Sequence, residues 1–191
     1  MESHYALLNS LGNEFSGYAS KLSQLIPAAY SRAAHWRWAS ASQLQLELFG
    51  RERAKIPKGH WLKERPQNKE EYVKVGLDQE GRIIVEEEYQ SHPLWGHDRI
   101  YVHAQDRILA LEYDKQKKLQ KAAEAVLQDD KQTWYVCFAT GNRASSVDRY
   151  VYDQGRITAI ESLWLTHFYV QTPTYYLECN DTGRVESVRR V

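Results

Sequence analysis

The chain changes its hydrophobic period once. Leu8, Leu11, Phe15, Tyr18, Leu22 and Leu25 are spaced 3, 4, 3, 4 and 3 residues apart, which puts all six on one stripe of an α-helix. Ser3 is placed to cap the start of that helix and Pro27 to stop it. Gly12 and Gly17 each cost about 1 kcal/mol in a helix interior, so the element needs packing to be stable. "PAAYSRAAHWRWA" predicts a second helix with Pro27 in its first turn. In "QLQLELF", Leu44, Leu46 and Leu48 alternate with Gln45 and Glu47, the two-residue period of a strand.

Residues 1–50 therefore read as a helical segment with a first strand. Residues 51–70 follow as a solvated basic connection: Arg51 to Lys69 carries seven basic residues against two acidic ones, with Pro57, Gly59 and Pro66 among them. From 71 to 191 short strand-forming runs alternate with turns, and the whole is expected to be one compact domain.

These turns recur. "YVYDQGRITAI" (150–160) has relatives in "VGLDQEGRIIVEEEY" (75–89) and "LECNDTGRVESVRRV" (177–191), and looser ones in "VHAQDRILALEY" (102–113) and "LQDDKQTWYVCF" (127–138). Aligning the basic residue after each turn gives Arg82, Arg107, Lys131, Arg156 and Arg184, at intervals of 25, 24, 25 and 28 residues. Asp or Asn side chains can bond the turn backbone, and Gly81, Gly155 and Gly183 supply a positive φ. Five hairpins in succession predict an antiparallel meander. The third unit leaves a fork, because the helix formers of "KKLQKAAEAVL" allow 118–128 to be helix or strand. The expected fold is thus α+β, with N-terminal helices packed on a curved antiparallel sheet of tandem hairpins. Its second face would be rich in tyrosine, including Tyr101, Tyr150 and Tyr152, and either open for contact or covered by protein.

Composition narrows the function classes. Thirteen Tyr and six Trp against one Met and four Phe suit half-buried strand surfaces or an aromatic contact surface. Twenty-five basic residues balance twenty-five acidic ones, so no global field draws in nucleic acid or an anionic membrane. The start lacks the pattern of a secretory signal and no apolar run is long enough to span a bilayer, so a cytoplasmic protein is expected. Cys137 and Cys179 sit inside apparent strands and read as reduced, half-buried thiols.

Tyr150, Tyr152, Asp153, Gly155, Arg156 and Ile157 follow a Tyr-x-Tyr-Asp-x-Gly-Arg-Ile pattern that resembles the YD repeat of Rhs and teneurin-type proteins, over roughly residues 71–191. This chain is far too short to build the shell that large Rhs proteins form around a toxin. It is similar instead to small stand-alone proteins with YD-like repeats encoded beside polymorphic toxins. That resemblance implies a non-enzymatic immunity protein whose partner is a cognate Rhs or type VI secretion toxin.

Candidate chemistry is sparse. His92 and His97 flank a loop with Asp98 adjacent, but no third ligand at a telling distance joins them, so neither metal nor cofactor is expected. No Gly-x-Ser-x-Gly elbow, activated cysteine or phosphate loop appears. Contact residues are sought among large aromatics in loops and acidic rims: Trp61, Trp95, Glu86, Glu88, Asp129 and Asp130, with Tyr101, Tyr150 and Tyr152 on the sheet. Trp61 among basic residues leaves a second reading, a small nucleic-acid- or carbohydrate-binding module. A hydrolase with an unrecognised site is the third.

Overall fold

The computed structural model describes residues 1–54, 56–67, 71–90, 96–141, 144–166, 169–179 and 185–191, without the side chains of 179, 185 and 186. A long helix, α1 (Glu2–Arg32), precedes β1 (His35–Ala39), the short helix α2 (Gly50–Ala54) and β2 (Trp61–Leu62). Then come β3 (Tyr72–Leu77), β4 (Ile83–Tyr89), β5 (Asp98–His103), β6 (Arg107–Tyr113), β7 (Leu119–Gln128) and β8 (Lys131–Ala139). The chain finishes with β9 (Ser145–Asp153), β10 (Arg156–Leu165), β11 (Val170–Gln171), β12 (Thr174–Cys179) and β13 (Val185–Arg190). All strands join one open antiparallel sheet in the order β13-β12-β10-β9-β8-β7-β6-β5-β4-β3-β1-β2, with β11 paired to the end of β10. The fold is α+β, a helix laid on a large antiparallel sheet.

One helix replaces the two expected. It starts at Glu2 without a side-chain cap from Ser3 and runs through Pro27 to Arg32. A proline inside a helix costs roughly 3 kcal/mol, and tertiary contacts of the last turns offset this: Ala29 is buried and the Tyr30 hydroxyl donates to Glu87 on β4 at 2.8 Å. Leu8, Leu11, Phe15 and Leu22 of the stripe are buried, while Tyr18 and Leu25 pack partly buried on the same core. Gly12 permits a close approach, because a Cβ there would lie 2.9 Å from the Phe138 ring on β8.

The second half of the expected second helix is β1. Its Trp36 stands over Gly76 of β3, and its Trp38 packs edge-on against Tyr72. Such aromatic cross-strand packing outweighs the helix propensity of the preceding alanines.

The fork at 118–128 resolves to strand. In β7, Ala122 points toward α1 while Ala123 and Ala125 point to the other face, all three buried. Small side chains here let cover on both faces approach, and ladders to β6 and β8 override helix propensity.

Residues 44–48 are the reverse case. Leu44, Leu46 and Leu48 do pack on the sheet's second face, as their alternation suggests, but the segment joins no ladder. It belongs to a strap, described over residues 40–54 and 56–60, that leaves β1, crosses the second face and returns through β2. The helix α1 therefore packs on one face and the strap on part of the other. The first half of the basic stretch expected to be a solvated connection lies within it; residues 54 and 56–58 there are exposed, but the Arg53 side chain is only 6% exposed.

Candidate functional site

The strap is moored at three places. At its start the Glu86 carboxylate accepts from the Ser42 hydroxyl (2.6 Å), the Gln43 amide (2.7 Å) and the Tyr101 hydroxyl (2.8 Å). In its middle the Gln132 side-chain amide donates to the Leu46 carbonyl at 2.6 Å, and the Leu48 amide donates to the Tyr150 hydroxyl at 3.0 Å. The Tyr152 hydroxyl donates to the Gln132 carbonyl at 2.8 Å. At its end Arg53 pairs with Asp148 at 2.6 Å and with Glu47, and the Ser162 hydroxyl donates to Asp148 at 2.6 Å.

Beneath the strap runs a row of alternating charges, one per strand. The register places Glu86 of β4 opposite Arg99 of β5, Arg99 opposite Glu112 of β6, and Glu112 opposite Lys121 of β7. Arg99 donates to Glu112 at 2.9 Å and lies 3.8 Å from Glu86. Opposite charges on facing cross-strand positions stabilise each other, and burial raises the cost of breaking any one pair. A cavity of about 160 Å³ separates part of this row from Leu44, Leu46 and Glu47 of the strap.

Ionisation follows these contacts. Burial pushes the Glu112 carboxyl up, but the charges of Arg99 and Lys121 outweigh it and hold the group below its ordinary value. Burial likewise opposes the charge on Arg99, yet Tyr101, Glu112, Glu86 and Glu88 hold it more firmly protonated than usual. Glu47 moves the other way, because burial exceeds the pull of Arg53. The Cys137 thiol, buried in the strap-side core, is pushed up by burial and is no activated nucleophile.

The expected contact residues fare differently. Glu86, Tyr101 and Tyr150 are buried and serve as moorings of the strap, so they form no contact surface. The physical reason is that a sheet with apolar groups on both faces must cover both, and the strap covers the tyrosine-rich one. Tyr152 is half-buried beside them. Glu88 accepts from the His97 amide at 3.0 Å and the Gln90 side chain at 2.9 Å. Trp61 is half-buried with the Arg37 guanidinium 4.1 Å from its ring centroid. Asp129 and Asp130 are exposed in the β7–β8 turn, both at positive φ. Trp95 and His92 lie outside the described residues. Asp98 is buried, with Lys115 at 2.6 Å and the Glu88 amide at 3.1 Å on its carboxylate.

Sequence reasoning missed Arg53, Asp148, Arg99, Glu112 and Lys121. One signal was present: Arg99 and Glu112 are equidistant from the turn at 105–106, so a hairpin there sets them face to face. Nothing local linked Arg53 to Asp148, 95 residues away.

Among the described residues no group of three or more His, Cys, Asp or Glu side chains is placed to hold a metal ion. Among them, too, no helix is long and apolar enough to cross a membrane. No family model, curated protein or solved structure matches this chain.

What the second face does leave open is a groove at the β13 end of the sheet, about 1000 Å³, between α2 and the edge strand. Trp164 and Tyr175 line it with ring centroids 6.2 Å apart.

Proposed function

We propose that this chain is a non-enzymatic immunity protein that binds a cognate antibacterial polymorphic toxin, of the Rhs or type VI secretion kind, and occludes its active site. The carrying observation is the turn series. The turns at 78–81, 104–106, 129–130 and 154–155 each join neighbouring antiparallel strands, and each directly precedes the basic residue of the 24- or 25-residue rhythm. A consecutive meander with Asp at each of these turns, Gly-Arg at two of them and Tyr-x-Tyr-Asp at one fits what YD-like hairpin repeats would build.

Burial of the tyrosine face moves the contact surface to the rims and edges. Asp129 and Asp130 stand exposed on the rim that carries these turns, where carboxylates would meet a cationic toxin cleft and speed association. Glu88 and Trp61 remain as partly exposed contributors.

Co-expression with the toxin encoded beside this gene tests the reading. Cell survival and a stable complex on size exclusion are expected. Continued killing with no complex overturns it.

A further inference from the structure

The groove at the open end of the sheet carries charge that the fold does not use. Arg53 is engaged by Asp148 and Glu47, Arg99 by Glu86, Glu88 and Glu112, and Glu52 by Lys58 at 3.3 Å. Two cations among the described lining residues have no carboxylate partner. Arg51, on the α2 wall, donates to the Ser42 carbonyl, and Arg190, on the β13 wall, donates to the Gln171 side-chain oxygen at 2.9 Å. The Trp164 and Tyr175 rings line the same groove. Below, the Arg53 guanidinium sits 4.9 Å from the Tyr175 ring centroid, and its buried Nε has no hydrogen-bond partner. Beyond this wall β13 ends the sheet, with no described strand on its outer side.

We propose that this groove binds an extended acidic segment of another protein, laid along β13, with carboxylates at Arg51 and Arg190 and an apolar side chain on Trp164 and Tyr175. Paired guanidinium-carboxylate contacts are directional and strong, and an aromatic floor gives an anchor. A peptide suits the site better than nucleic acid, because two separated cations match spaced carboxylates and not a continuous phosphate track, which needs a row of cations. The inference stands apart from the toxin reading, since an immunity protein that meets its toxin elsewhere would still carry this groove.

The test uses the full chain and a fluorescein-labelled synthetic peptide of alternating aspartate and valine. Lysine-for-aspartate peptide and oligouridine of matched charge serve as competitors for comparison. Saturable anisotropy with the acidic peptide is expected, falling with salt, weakened about tenfold by Arg190→Gln and further by Arg51→Gln. Arg190 is exposed on the edge strand, so its variant should keep the parent thermal midpoint. Hydrogen exchange on the unaltered protein gives a readout free of any folding defect: the peptide should protect amides in 50–54 and 185–190. No saturable binding, tighter binding of oligouridine, indifference to Arg190→Gln, or protection confined to other segments would each overturn the proposal.

Discussion

Arg53 and Asp148 form an ion pair of 2.6 Å in which both side chains are nearly dry, 6% and 1% exposed, and it ties the end of the strap to the middle of the sheet. The pair spans 95 residues of sequence. Removing Arg53 leaves Asp148 an uncompensated buried charge, and removing Asp148 leaves Arg53 only the more exposed Glu47, whereas removing both takes the buried pair away together. Asp148→Asn or Arg53→Met should cost about 3–5 kcal/mol in urea unfolding, and the double variant Arg53→Met with Asp148→Leu should recover most of that loss. Additive losses in the double variant would show that the pair is not coupled.

Glu86 is a buried acceptor for four donors, three of them in the strap: the Ser42 hydroxyl and the amides of Gln43 and Leu44. Glu86→Gln replaces one acceptor oxygen with a donor and should destabilise by about 2–3 kcal/mol. Hydrogen exchange should locate the loss, with the amides of Gln43 and Leu44 exchanging faster while those of β8 and β9 stay protected.

At the β7–β8 turn Asp129 and Asp130 both take left-handed backbone, φ 50° and 59°. Asp tolerates this conformation at a cost that glycine avoids, and Asp-Gly is the favoured pair for a two-residue hairpin. Asp130→Gly should therefore raise stability by about 1 kcal/mol, read as a higher thermal midpoint. If Asp130 also contacts a toxin, the same variant will bind it more weakly.

Acid should loosen the charge row. Glu112 titrates below its ordinary 4.5, so its contribution is fully present above that pH and is lost as pH falls through the depressed folded value. The stability difference between the parent and Glu112→Gln should be largest at neutral pH and shrink below about pH 4.5. A difference that stays constant from pH 7 to pH 3 would argue against ionic mooring of Glu112.

Cys137 is 3% exposed and its thiol is pushed up by burial, so in a Cys179→Ser background it should resist a thiol reagent at neutral pH until the chain is unfolded. Rapid labelling of the native protein would mean that the strap opens readily.

The sequence by itself determined the features that depend on near neighbours. The stripe from Leu8 to Leu25 is one, because i, i+3 and i+4 positions share a helix face whatever the rest of the chain does. The turns are another: Gly81 and Gly155 take positive φ, as the backbone there requires. Tertiary structure decided the rest, because the deciding partners were far away in the chain. Packing of Ala29 and Tyr30 carries α1 through Pro27, flanking ladders turn the alanines of β7 into a strand, and side chains of Glu86, Gln132 and Tyr150 hold Leu44 to Leu48 against the sheet without a ladder of their own. The same distance effect governs the site. Tyr101 and Tyr150 read as surface aromatics until a strap 50 to 100 residues upstream covers them, since alternation tells which face a side chain takes and not what lies on that face.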